Sequence, residues 1–181
     1  MRKWRRRCLG GLSGSIVEIG FGSGRNLPFY PSEVTKVTAV EPPGMMREMA
    51  SERIAATTIS VEWGGLDGQH LDLNDASFDA AVVTFSLCTI PDAEGALREL
   101  RRVVRPGGEL RVLEHGSAPD ESVRKWQHRF NGIEQVLAGG CQLTKDPVKL
   151  VRDTGWKVTS LVQGYEPGPK PWAYFTCLHA V

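Results

Sequence analysis

No run of this sequence approaches the roughly 18 consecutive apolar residues that a membrane-spanning helix needs, and its basic start is not followed by the apolar core of a secretory signal. Neither sign of charge dominates: 22 Lys and Arg stand against 21 Asp and Glu, a formal net charge of +1. With no basic domain beyond the first seven residues, nothing calls for nucleic acid. Cysteine is sparse and scattered, at Cys8, Cys88, Cys141 and Cys177. The absence of any CxxC or HxxxH pair argues against a zinc site, and no metal is expected. Without a secretory signal, structural disulfides are not expected either. These absences leave a cytoplasmic protein with free thiols, without internal repeats, and a single domain over residues 1–181.

What is present is organised around Ile16-Val17-Glu18-Ile19-Gly20-Phe21-Gly22-Ser23-Gly24-Arg25-Asn26. A short β-branched run breaks into three alternating glycines, the pattern of a buried strand that ends in a tight loop before a helix. Upstream, residues 1–14 form a basic segment with Arg2, Lys3, Arg5, Arg6 and Arg7 around Trp4. Such a run is more often a solvated helix face than a weak peripheral contact with an anionic membrane. Downstream, strands are predicted at 34–40, 59–63, 78–85, 110–113, 156–162 and 172–180. Helices are predicted at 27–30, 45–56, 92–104, 122–137 and 147–154, with Met45, Met49 and Ile54 sharing one face of the second. Asn26 is expected to cap the first of these helices, and Pro106-Gly107-Gly108 to stop the third. Alternating strands and helices specify an α/β fold with a mostly parallel sheet and helices on both faces.

Two acids fall where this fold uses them. Glu41 ends the second strand, beside the end of the first in a right-handed βαβ unit, where a carboxylate can accept both hydroxyls of a ribose. Asp67-Gly68-Gln69 follows the third strand, where a carboxylate and a backbone N–H can meet the base of a nucleotide-type cofactor, although an acid alone in such a loop is more often solvated. Residues Thr84 and Phe85, at the carboxyl end of the buried fourth strand, face the same crevice.

Taken in order, Val17 to Gly24, Val40-Glu41-Pro42, Asp67-Gly68-Gln69, Ser77-Phe78-Asp79 and Leu100 to Gly108 resemble the motifs of class I S-adenosylmethionine-dependent methyltransferases. The branch is the ubiquinone-biosynthesis-like or type 11 group, and the resemblance runs from Ser15 to Leu113. Tyr30-Pro31, Glu114-His115, Trp126-Gln127, Gly140 to Asp146 and Gly168-Pro169 are similar to methyltransferase-like proteins whose animal members methylate thiols. Those members carry an N-terminal hydrophobic segment that this sequence does not show, so their membrane association is not carried over. Family members generally have a helix or more before the first strand. Residues 1–12 would take that part in reduced form, unless the start is internal. The resemblance implies a Rossmann-like, doubly wound seven-stranded sheet of order 3-2-1-4-5-7-6, with strand 7 antiparallel. It implies S-adenosylmethionine as cofactor and S-adenosylhomocysteine as product. Glu18, Gly20, Gly22 and Gly24 would line the methionine part, Glu41 would hold the ribose, and Asp67 and Gly68 the adenine. Thr84 and Phe85 would lie beside the sulfonium. Pro42-Pro43 departs from the usual residues after the acid and bears on the adenine's apolar wall.

The acceptor would be a small, apolar thiol, phenol, quinone or lipid-like molecule. A hydroxyl acceptor would call for a general base. His115, oriented by Glu114, is the first candidate, and His128 on the 122–137 helix a weaker one. Residues 116–155 would form lid helices, with Tyr30, Trp126, Phe130 and Cys141 on the substrate pocket, although aromatics at helical spacing are more often core. The rival readings are a nicotinamide-dependent oxidoreductase and a non-catalytic protein that binds adenosylmethionine. The first wants Gly-x-Gly-x-x-Gly, and here Arg25 stands where the third glycine would fall.

Overall fold

Val, Ile and Ala fill the middle of the chain's strands, and the sheet they build is buried on both faces. In the computed structural model, which describes residues 1–181, β1 is Gly14–Ile19, β2 Val34–Val40, β3 Ser60–Gly65 and β4 Phe78–Thr84. Then follow β5 (Val104–His115), β6 (Val158–Tyr165) and β7 (Tyr174–Ala180). The strand order is β3-β2-β1-β4-β5-β7-β6, parallel throughout except that β7 runs antiparallel to both β5 and β6. Order and directions are those expected. The helices are α1 (Arg2–Leu9), α2 (Met45–Ala55), α3 (Ala93–Val103), α4 (Glu121–Leu137), α5 (Pro147–Asp153) and α6 (Lys170–Ala173).

Strand alternation divides the interior in two. On one face Val17, Ile19, Val83 and Val112 pack with Leu97, Leu100 and Val103 of α3 and with Val151 and Trp156. On the other, Ile16, Val37, Val82 and Leu113 pack with Trp4, Cys8 and Leu9 of α1, with Leu12, and with Phe175 of β7. The basic N-terminal run is therefore not a solvated face all round. The apolar side chains at 4, 8, 9 and 12 recur at helical spacing and bury one side of α1, while Arg2, Lys3, Arg6 and Arg7 stay exposed. Arg111, buried on β5, holds this helix down: its guanidinium grips Glu109 through two hydrogen bonds of 2.9 Å and donates to the Cys8 and Gly10 carbonyls at 3.2 and 3.1 Å.

Three local expectations change. The 110–113 strand is the middle of a twelve-residue one. Pro106-Gly107-Gly108 lies inside it rather than directly ending α3, and four residues separate Glu109 from Val104 in β5 where one separates Ala80 from Phe78 in β4. Asn26 precedes a 3-10 turn at Leu27–Phe29 and makes no cap, because its side chain turns inward. The methionines of α2 are exposed, and only Ala50 of that helix is buried.

Replacing Arg111 with Met removes the charged clamp while keeping its length. It is expected to cost roughly 2–3 kcal/mol, the range for charge-assisted bonds between buried groups. A lowered urea midpoint, with hydrogen exchange raised first in residues 2–9, checks this.

Candidate active site

The carboxyl ends of β1, β2 and β4 meet around a crevice of about 640 Å³, at the point where the sheet order turns from β1 toward β4. Its floor is a buried polar knot. Glu18, 1% exposed, accepts from the Tyr30 hydroxyl at 2.7 Å and from the Asn26 amide at 2.7 Å. The same Asn26 amide nitrogen lies 3.0 Å from Thr84 Oγ1. Arg5 of α1 donates to Thr84 Oγ1 at 3.2 Å and to Asn26 Oδ1. Burial outweighs these partners and the Arg5 charge, so the Glu18 carboxyl is pushed up from 4.5 to about 7.

The glycine loop lies over this knot. Gly20 has φ +71°, and a Cβ built on it would meet Ser86 Oγ at 1.8 Å. Only a residue without a side chain lets the loop close on the end of β4. Gly22, at φ +57°, turns its N–H onto Glu41 Oε2 at 2.9 Å, so one carboxylate oxygen of Glu41 is fixed by the loop. Gly20, Gly22, Glu41, Pro42, Asp67, Gly68, Thr84 and Phe85 all line the crevice. Asp67 is half taken up locally, Oδ1 accepting from the Gln69 side chain and backbone N–H, which hold its carboxyl below the usual range. Gly24 does not reach the crevice and packs against Phe21 and Leu27. The crevice also takes in Arg5, Asn26 and Met49, which the sequence placed in a basic run, a helix cap and a helix face, together with Met46 and Ser86. The α2 methionines thus supply an apolar wall here rather than core. For Arg5, the recurrence of Trp4, Cys8 and Leu9 was the available signal, masked by the charges around it.

Elsewhere the structure separates what the sequence suggested together. Tyr30 is buried behind Glu18 and is a ligand of that carboxylate, not a pocket wall. Trp126 is 52% exposed and stacks on Phe130, which leans on Trp172. Ile133 is exposed as well, so the apolar spacing of α4 does not mark a buried stripe. What anchors that helix is Gln127, bonded through its amide to the Gly116 and Pro171 carbonyls and the Ala118 N–H. His128 points to solvent on the exposed side of α4. From the expected lid, only Gly139 lines the crevice.

Glu114 cannot orient His115, because neighbours on a strand face opposite ways. Its Oε1 accepts from the Ser86 and Leu87 N–H groups at 2.6 and 2.8 Å, and burial pushes its carboxyl to about 7. His115 stacks on Phe85 with ring centroids 6.4 Å apart and places Nε2 3.1 Å from Cys141 Sγ. Neither His115 nor Cys141 lines the crevice. Phe85 itself holds φ +55°, a strained value for a residue with a side chain, as is common where a site is being shaped.

Residues 17–112 match the family described as "Methyltransferase domain". The chain is 31% identical over 172 residues to thiol S-methyltransferase TMT1B of Homo sapiens, covering 91% of this chain and 68% of that protein. The chain belongs to the class I S-adenosylmethionine-dependent methyltransferases. Rattus norvegicus TMT1B is 32% identical over 165 residues, covering 87% of this methyltransferase and 65% of the rat protein, so this methyltransferase spans about two thirds of the length of those relatives. In fold it is like an S-adenosylmethionine dependent methyltransferase of Mesorhizobium loti, with a TM-score of 0.71, 16% identity, and 99% and 97% of the two chains covered. The crevice of this methyltransferase fits the cofactor chemically. A free carboxylate oxygen on Glu41 suits a ribose, buried Glu18 suits an ammonium, and Met46, Met49 and Leu66 suit an adenine face. The nicotinamide reading is set aside.

A raised carboxyl pKa has a signed consequence. Glu18 favours the fold most when protonated, so its contribution is full below about 4.5 and is lost as pH rises through about 7. Glu18→Gln is therefore expected to raise the melting temperature of the cofactor-free protein at pH 8 and to flatten its pH dependence between 4.5 and 7. Calorimetry with S-adenosylmethionine, which is cationic, is expected to show affinity strengthening from pH 6 to 7.5 in the wild type and not in the variant.

Proposed function

We propose that this methyltransferase transfers a methyl group from S-adenosylmethionine to a small, apolar thiol. The observation that carries the acceptor is the crevice lining, which contains no histidine, lysine or tyrosine. Its one carboxylate with a pKa near neutrality, Glu18, has both oxygens committed to Asn26 and Tyr30. A phenol or alcohol would need a base to ionise. A thiol, with an ordinary pKa of about 8.5, supplies roughly 3% thiolate at pH 7 unaided. The similarity to thiol S-methyltransferases supports the same acceptor, and Phe85, Ile90 and Pro91 on the crevice wall favour an apolar one.

The bound cofactor supplies an electrophilic methyl group. The protein's part is to hold donor and acceptor in line and keep water out. Gly20 and Gly22 allow close backbone approach, and Glu18 and Arg5 fix the charge at the methionine end. Glu41, steadied by the Gly22 N–H, takes the ribose, while Asp67 and Gly68 meet the adenine. Thr84 and Phe85 shape the end where the methyl is presented.

A panel of small thiols, phenols and quinones with labelled donor tests the reading. Thiols are expected to be methylated. Methylation of phenols or quinones with thiols untouched would overturn it. Glu41→Ala is expected to weaken S-adenosylhomocysteine binding by about 1.5–3 kcal/mol, roughly 10- to 150-fold, through loss of charge-assisted hydrogen bonds. Calorimetry measures that loss directly.

A further inference from the structure

Three side chains far apart in sequence converge just behind the crevice wall. Cys88 lies in the turn after β4, His115 ends β5, and Cys141 follows α4. Their ligand atoms all lie within 4.8 Å of one another. Each is pinned by its own segment. Gln142 N–H donates to the Cys88 carbonyl at 3.0 Å, and Lys145 Nζ donates to the Leu87 and Ile90 carbonyls at 2.9 and 2.7 Å. His115 is pressed against Phe85. Two buried polar atoms here have no partner, His115 Nδ1 and Glu114 Oε2. The cluster also touches the crevice through its neighbours: Phe85, Ser86 and Thr89 beside Cys88, and Gly139 before Cys141, all line it.

We propose that Cys88, His115 and Cys141 bind a zinc ion whose remaining position takes the acceptor thiol. The second half of this rests on the thiol reading above. Two thiolates and an imidazole are a thiophilic donor set, and three protein ligands are the mark of a zinc site that keeps a place for substrate. The dimensions suit it. Around a tetrahedral zinc with bonds of about 2.3 Å to sulfur and 2.0–2.1 Å to nitrogen, two sulfurs lie roughly 3.8 Å apart and sulfur and nitrogen roughly 3.5 Å. The 3.1 Å His115–Cys141 pair has to open by only a few tenths of an ångström. Sequence spacing could not reveal the site, because His115 and Cys141 are 26 positions apart and no local motif links either to Cys88.

On binding, the Cys88 and Cys141 thiols and the acceptor thiol each give a proton to solvent. The ion then carries three thiolates, with the Lys145 ammonium next to the turn that holds Cys88. A lone pair of the acceptor sulfur forms the new S–CH3 bond, and the pair of the breaking C–S bond stays on the donor's sulfur. The resulting neutral thioether is a weak ligand and leaves.

The test uses the reduced full chain, stripped with a chelator and titrated with cobalt(II) as a spectroscopic stand-in. One equivalent is expected to give thiolate-to-metal absorption and tetrahedral ligand-field bands, both lost in Cys88→Ser and in Cys141→Ser. Mercaptoethanol is expected to shift those bands, and ethylene glycol to leave them unchanged. No thiolate absorption in the wild type, or absorption unaltered in both variants, overturns the site. Bands indifferent to mercaptoethanol overturn the acceptor role. Thiol methylation by metal-free wild type at least tenfold below that of the zinc-loaded protein is expected, and equal rates would overturn the proposal while leaving thiol methylation standing. No thiol methylation with or without zinc, in samples that still bind S-adenosylhomocysteine, would instead remove the functional reading beneath it.

Discussion

The site depends on a carboxylate that has been taken out of water. Glu18 occupies an interior position of β1, where its neighbours on the same face are apolar. An ionised group there is costly unless it is bonded and compensated. Tyr30 and Asn26 donate to it, and Arg5 brings the opposing charge, yet burial still leaves it half inclined to hold a proton near neutrality. Those partners come from the N-terminal helix and the segment after the glycine loop, so satisfying one side chain draws both to the end of β4. The cofactor-free protein holds a poised charge in this way, and a cationic ligand is the natural completion of it.

Glycine spacing and the acids at strand ends were the legible part of this molecule, because both are consequences of backbone path. A strand that must end in a loop needs Gly20 and Gly22 whatever surrounds it, and Glu41 follows from where β2 stops. The strand order came from resemblance and agreed with the structure. What escaped was whatever depends on distant partners. The arginines at 2, 5, 6 and 7 look alike in a row, and only the docking of Trp4, Cys8 and Leu9 decides that Arg5 faces inward. Trp126, Phe130 and Ile133 carry the spacing of a buried stripe, but α4 lies at the margin of the fold and is held by Gln127. Tyr30 resembles a pocket aromatic and serves as a hydrogen-bond donor to an acid twelve residues earlier.

Phe85 separates two chemistries. On its crevice side lie Arg5, with its guanidinium 5.5 Å from the ring, and the polar knot. On the other lies His115, whose ring stacks on it. Its left-handed backbone is held by the Leu113 carbonyl, which accepts its N–H at 2.9 Å, so the ring's place is set by the β4–β5 pairing rather than by a flexible loop.

The seating of α1 has a consequence for how the protein is made. Trp4 donates to Glu166 and packs edge-on against Phe175, partners about 160 and 170 positions later. Arg5, next to it, thus precedes in the chain nearly everything that places it. During synthesis Asn26, Thr84 and Arg111 emerge well before Glu166 and Phe175, so α1 meets part of its seat long before that seat is complete. Closing so long a loop is entropically slow. The seat of Trp4 is therefore finished only after β7 has inserted between β5 and β6, and a chain cut before residue 166 would lack the Glu166 and Phe175 partners that close α1 onto the sheet.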